Sequence, residues 1–182
     1  YRRQRQMCIR DSNPTGATIT GDQLRTVAEA AELVVLDAAY AEFADEDLTA
    51  VALEFDNAVI VRTLSKAYGL AGLRIGYLLG PSHVIAEMAS YGSPYSVSSL
   101  SAAVALERLE RLDDLEPFVQ EIRSERGRLA GLLEGFGVPS LPSQGNFVLA
   151  GFDNAGFVAD ACGALGIGVR RFAGRDALDQ WL

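Results

Sequence analysis

Lysine and histidine are almost absent: one of each stands against fifteen arginines. The lone histidine, His83, excludes a multi-histidine metal site, and its place just after Pro81 and Ser82 suits a solvated helix start. Only two cysteines, Cys8 and Cys162, occur, without metal-ligand or disulfide spacing, so a reducing, cytoplasmic setting is the expectation. No apolar run approaches the ~20 residues needed to span a bilayer. Positive charge is also short. A formal net charge of −8 argues against nucleic acid or an anionic membrane as the main partner. What remains is ordinary: 182 residues, 49% apolar and 22% charged, fit a globular protein of one sizeable domain or one and a half small ones.

The scarcity of lysine makes Lys66 conspicuous, in the stretch VRTLSKAYGLAGLR (61–74). Arginine stays charged, whereas a lysine amine can lose its proton and attack a carbonyl. Composition alone leaves two readings open: chemistry that only lysine performs, or a codon bias that left one lysine behind.

Residues 1–12 differ from the rest, with four arginines against one aspartate in an otherwise acidic chain. They lack the apolar centre of a secretory leader. A basic arm is one reading; the one preferred is a non-native head, with native sequence starting near Ser12 or Asn13.

Beyond the head, Thr20-Gly-Asp-Gln23 is a capping-box pattern opening a helix. LVVLD (33–37) reads as a fully buried parallel strand, and AVIVRT (58–63) and IGYLLG (75–80) as further strands. Helices are expected over SHVIAEMAS after Pro81, over 101–112, and from Glu116-Pro117 with Phe118, Ile122, Leu129, Leu132, Leu133 and Phe136 on its apolar positions. Gly135 and Gly137 are plausible terminators there. SPYSVSSL (93–100) reads as a loop. NFVLAGF (146–152) and IGVRRF (167–172) read as strands around a helix at 156–166. The alternation predicts an α/β layer over 13–100, mainly parallel with flanking helices, and a small α+β domain within 101–182.

Chemistry-bearing residues gather where such sheets bind ligands, beyond the carboxyl ends of parallel strands. Asp37 ends LVVLD, and Ser65-Lys66 follow AVIVRT. Ser65 and Arg74, across a turn holding Gly69 and Gly72, offer a hydroxyl and a forked guanidinium for a phosphate. A lysine, an acid and a phosphate clamp are together what pyridoxal phosphate requires. The competing reading of Asp37 and Lys66 is a buried ion pair.

NPTG (13–16), VVLDAAYAEF, VRTLSKAYGLAGLRIGY and QGNFVL stand in the order found in class I/II aminotransferases of the fold-type I pyridoxal-phosphate family. YAEF and PYSVSSLSAAVAL resemble most its histidinol-phosphate branch. The resemblance covers residues 13–182. It implies a partial fold-type I architecture and makes Lys66 the cofactor-linked lysine and α-carbon proton shuttle. It likewise implies Asp37 as partner of the pyridine nitrogen, Asn13 and Tyr40 as partners of the ring hydroxyl, and Ser65 and Arg74 as phosphate ligands. Arg170 would face a substrate phosphate and Asn146 lie near the substrate. The bland alternatives are a turn former for Asn13, a packed ring for Tyr40, and surface charge for Arg170.

The implied reaction is amino transfer from a small-molecule donor, with histidinol phosphate first, to a 2-oxo acid such as 2-oxoglutarate, in a homodimer. An aromatic amino acid aminotransferase, a related decarboxylase, or a non-catalytic regulator domain are the alternatives; nothing in residues 1–12 supplies the DNA-binding unit of the last. The family's Asp-Glu-Ala-Tyr is here Asp37-Ala38-Ala39-Tyr40. The family also carries a long segment before NPTG and an arginine beyond DALDQWL. The chain is therefore expected to be a fragment, inactive and poorly folded by itself.

Overall fold

The computed structural model describes residues 6–9, 13–93, 96–172 and 174–182, the first of these by backbone alone. Tyr95 and most of the basic head lie outside the described residues. Four strands form one sheet in the order β1 (Gln6–Ile9), β2 (Leu33–Asp37), β3 (Ala58–Thr63), β4 (Gly76–Leu79). The first three run parallel, and β4 is antiparallel to β3, with Thr63 opposite Gly76. The backbone of Gln6–Ile9 thus joins the sheet beside β2, a strand the sequence reading did not assign.

Helix α1 (Gly21–Ala30) starts as expected. Thr20 Oγ1 accepts from the Gln23 amide while the Gln23 side chain accepts from the Thr20 amide, satisfying two N–H groups the helix cannot. Its buried residues Leu24 and Ala28 pack on Val34, Leu36 and Ile60 of the sheet, joined by Leu48 and by Ala52 of the short α2 (Thr49–Ala52). This is the principal core. β2 is not buried on both faces: Val34 and Leu36 are covered, while Leu33, Val35 and Asp37 are half-buried. The described helices α1 and α2 pack on only one side of it, so the expected continuous burial becomes an alternation.

Helix α3 (Ser82–Ser90) follows Pro81 with His83 exposed in its first turn. Helix α4 (Ser99–Leu109) begins two residues earlier than expected, because Ser98 caps it through the Ser101 amide, and ends three residues sooner. Helix α5 (Leu115–Gly135) ends at Gly135, and Gly137, at φ 72°, takes the left-handed turn beyond it. Its expected apolar stripe is largely exposed: Phe136 is 82% accessible, and Val119 alone among its residues is buried. Val119 joins Tyr40, Phe43 and Ala67 in a second, smaller cluster that ties α5 to the turns after β2 and β3.

Helix α6 (Ala155–Ala164) begins one residue before and ends two residues short of the expected 156–166, with free Cys162 half-buried on it. The two C-terminal strands do not form. NFVLAGF makes only isolated bridges, Ala150 to Ser140 and Gly151 to Trp181. The neighbouring extended run is bounded by Pro139 and Pro142, which lack the N–H a ladder needs. IGVRRF is irregular and exposed apart from Phe172. The α/β layer is therefore present, while among the described residues 101–182 contain helices and bridges but no strand, which corrects the α+β expectation there.

A polar clamp joins the segment after Tyr40 to α5. The Asp45 amide donates to Gln144 Oε1 at 2.7 Å, Gln144 Nε2 donates to Asp45 Oδ2 at 2.8 Å, and Arg123 reaches Asp45 Oδ1 at 2.6 Å. The Gln144 and then the Arg123 bond hold the Asp45 carboxyl below its ordinary 3.8. A depressed folded pKa gives stability that is present above the unfolded value and lost as pH falls through the folded one. Asp45→Asn is accordingly expected to flatten the fall of the urea midpoint below pH 3.8, checked by urea titrations on the acid side. An equally steep fall in the variant contradicts this assignment.

Candidate active site

β2 and β3 stop side by side, with Asp37 opposite Val61, and the chain turns outward beyond each. The Ala38 amide still donates to Val61 O at 2.9 Å, after which the two turns separate. One turn places Tyr40 and the other Lys66, so that Lys66 Nζ lies 5.0 Å from the centroid of the Tyr40 ring. Tyr40 is 6% accessible, held edge-on by Phe147 at 5.3 Å between centroids. Asn13 Nδ2 donates to the Tyr40 hydroxyl at 3.2 Å, and Arg170 donates to Asn13 Oδ1 at 3.1 Å. Lys66, Tyr40, Asn13 and Arg170 thus form one continuous chain of contacts.

Asn146 completes the wall. A cavity of about 240 Å³ is lined by Asn13, Tyr40, Lys66, Asn146, Arg170 and Phe172, among others. A larger groove, about 880 Å³, runs along α5 past Arg126 and Pro139 and is lined by none of the candidate site residues. The smaller cavity carries the convergent polar groups and is the candidate site.

Asp37, Ser65 and Arg74 do not line that cavity. Asp37 Oδ1 accepts from the Ala39 amide at 3.1 Å at the end of β2. Ser65 uses its amide on Thr63 Oγ1, leaving its hydroxyl without a partner among the described residues. Arg74 is exposed, its guanidinium donating only to Ala71 O at 3.3 Å, and no described carboxylate pairs with it. Its φ of 57° is left-handed, a strained setting for a non-glycine residue and one that recurs at ligand sites. Gly69, at φ 75°, serves the turn, and nothing lies within 4 Å of a Cβ built at Gly69 or Gly72.

The donor set fits a cofactor of the expected kind. An amine without a carboxylate partner, a free hydroxyl, an unpaired guanidinium and a half-satisfied carboxylate all lie just beyond the ends of β2 and β3. No ion pair joins Asp37 to Lys66 among the described residues. By contrast, among the described residues no group of three or more His, Cys, Asp or Glu side chains suits a metal ion.

A family model described as aminotransferase class I and II matches residues 11–162. The chain belongs to this family. It is 38% identical over 173 residues, 94% of its length, to the histidinol-phosphate aminotransferase of Caldanaerobacter subterraneus subsp. tengcongensis, and covers 49% of that protein. It is 39% identical over 143 residues to the aromatic amino acid aminotransferase of Mycobacteroides abscessus, covering 75% of this chain and 41% of that one. In three dimensions it resembles the histidinol-phosphate aminotransferase of Sinorhizobium meliloti solved with pyridoxal-5'-phosphate. The TM-score is 0.81 at 29% identity, over 97% of this chain and 50% of that one. This aminotransferase chain spans about half the length of the curated relatives it matches.

Sequence reasoning missed two groups that shape the site of this aminotransferase chain. The Asp45–Gln144 clamp holds the loop just before Asn146, and a buried pair, Arg62 with Glu42, bridges the Tyr40 and Lys66 turns. The second was open to detection: Arg62 is a charge inside a β-branched strand run, and Glu42 lies in the YAEF stretch.

Proposed function

We propose that the protein containing this chain is a pyridoxal-phosphate-dependent aminotransferase acting on histidinol phosphate and a 2-oxo acid. The observation that carries this reading is the placement of the only lysine amine in the cavity, over Tyr40 and beside Asn13, Asn146 and Arg170. Histidinol phosphate comes first because two relatives at 38% identity bear that name.

When bound, pyridoxal phosphate supplies an aldehyde for amines and a ring that withdraws electrons from a carbanion. Lys66 Nζ would hold that aldehyde and would move the proton at the donor's α-carbon. Asp37, at the end of β2, keeps a proton on the pyridine nitrogen. The Tyr40 hydroxyl and the Asn13 amide, already joined at 3.2 Å, orient the ring hydroxyl. Ser65 and Arg74 bind the cofactor phosphate, Arg74 with a guanidinium that no described acid neutralises. Arg170 faces the donor phosphate and Asn146 the donor backbone, both from the cavity wall. The homodimer and cytoplasmic setting expected from the resemblance belong to the same proposal.

Aromatic transamination is the second reading, favoured by the Mycobacteroides abscessus relative. Turnover of histidinol phosphate and phenylalanine by the full-length protein, side by side with 2-oxoglutarate, separates the two. A higher kcat/KM for histidinol phosphate is expected, and preference for phenylalanine moves the assignment to the second reading. Replacing Arg170 by alanine should raise KM for the phosphorylated donor about 10-fold or more, the loss of one charge-assisted contact of about 1.5–3 kcal/mol, and leave phenylalanine turnover nearly unchanged.

A further inference from the structure

The β2–β3 ladder ends at Asp37 and Val61, so no ladder joins the Tyr40 and Lys66 turns; on its other edge β3 stays paired with β4 as far as Thr63, and Leu64 bonds to Ile75. One guanidinium spans the gap. Arg62, on β3 four residues before Lys66, donates through one nitrogen to Glu42 Oε1 at 2.9 Å. Through the other it reaches Asp47 Oδ2 at 2.9 Å and Thr49 Oγ1 at 3.0 Å. Glu42 stands two residues after Tyr40, in the 3₁₀ turn Ala41–Phe43. Both side chains of the pair are 11% accessible.

This pair is a poor source of stability on physical grounds. Glu42 Oε2 and Arg62 Nε are buried without a hydrogen-bond partner. Burial raises the Glu42 carboxyl above its ordinary value even though Arg62 opposes that shift. The Tyr68 phenol, which faces the same pair, is pushed up by burial and then by the Glu42 charge. Buried pairs with unmet hydrogen bonds are commonly replaceable by apolar side chains without loss of stability, so stability alone does not account for this one. The second apolar cluster also links the turns, through Tyr40 and Ala67, but packing of that kind constrains separation less sharply than a forked, directional contact.

We infer that Arg62 and Glu42 are positioning residues, a buried bridge that sets the Tyr40 turn against the Lys66 turn and so places the lysine amine over the Tyr40 ring. The inference rests on the proposed role of Lys66, but its test does not use the cofactor and therefore fails separately. Because the chain has one lysine, reductive methylation with ¹³C-formaldehyde labels Lys66 and otherwise only the terminal amine. A dimethylated amine near the face of Tyr40 shows an upfield ring-current shift, calibrated by Tyr40→Leu in the same full chain.

The expected result is loss of that shift in Arg62→Met, in Glu42→Gln and in the double variant Glu42→Leu/Arg62→Leu, with the thermal midpoint of the double variant equal to or above that of the parent. The double variant removes both charges, so it tests positioning even if a single variant leaves a lone buried charge and fails to fold. An unchanged Lys66 signal in the double variant overturns the inference, as does a parent signal matching Tyr40→Leu. A midpoint that falls together with the signal overturns it too, since the pair would then be structural.

Discussion

Lys66→Arg is expected to lower transamination by the full-length protein by more than about 10⁴-fold while leaving its fold intact. Proton transfer by a placed side chain alone is typically worth about 10²–10⁴, and this lysine also carries the covalent link that guanidinium cannot form. The structural cost is small. Lys66 is half-buried and its one described interaction is with the Tyr40 ring, a contact worth about 0.5–1 kcal/mol that arginine also makes. Activity assayed with the cofactor in excess, beside thermal melting of both proteins, checks the prediction. Retention of a tenth of the parent rate would remove Lys66 from the reaction, and a collapse of the melting midpoint would show that it holds the fold.

The second large effect falls on stability. Gly16 is buried at φ 71°, and a Cβ there would stand 2.3 Å from Ser143 Oγ and 2.7 Å from Ser143 Cα. Its carbonyl accepts from the Gln144 amide at 2.9 Å, so the turn after Asn13 and the loop before Asn146 are in direct contact. Gly16→Ala adds a left-handed alanine at about 1–2 kcal/mol and an overpacked contact at about 1–3 kcal/mol. The total is a large share of a typical stability of about 5–15 kcal/mol. Urea unfolding should show a loss of about 2–5 kcal/mol. Adding Ser143→Gly removes the side-chain part of the clash and should return only a fraction, because the Cα remains too close. A double variant as stable as the parent would mean the backbone strain is negligible.

Local patterns carried much of this architecture. The Thr20–Gln23 capping box, the β-branched runs at 33–37 and 58–63, and Pro81 before α3 each act through neighbouring residues, and each is where expected. The bridges around Ala150 depend on distant segments, and no local signal tells an extended run with a partner from one without. The candidate site divides along the same line. Lys66, Tyr40, Asn13, Asn146 and Arg170 share a cavity. Ser65 and Arg74 stand apart from it, and the side-chain geometry at 65–74 is set by the turn, not by the spacing of residue types. Arg62 left a signal as a charge inside a strand run, but its pairing with Glu42 depends on how the two turns come together.

The hydrogen bond from Arg170 to Asn13 spans 157 positions. Residues of the cavity wall therefore leave the ribosome at widely separated times. At about 5–20 residues per second, the lysine turn emerges about 5–20 s before Arg170. Throughout that interval the cavity around the amine lacks part of its wall, so the order of synthesis itself sets a window in which the amine is least enclosed.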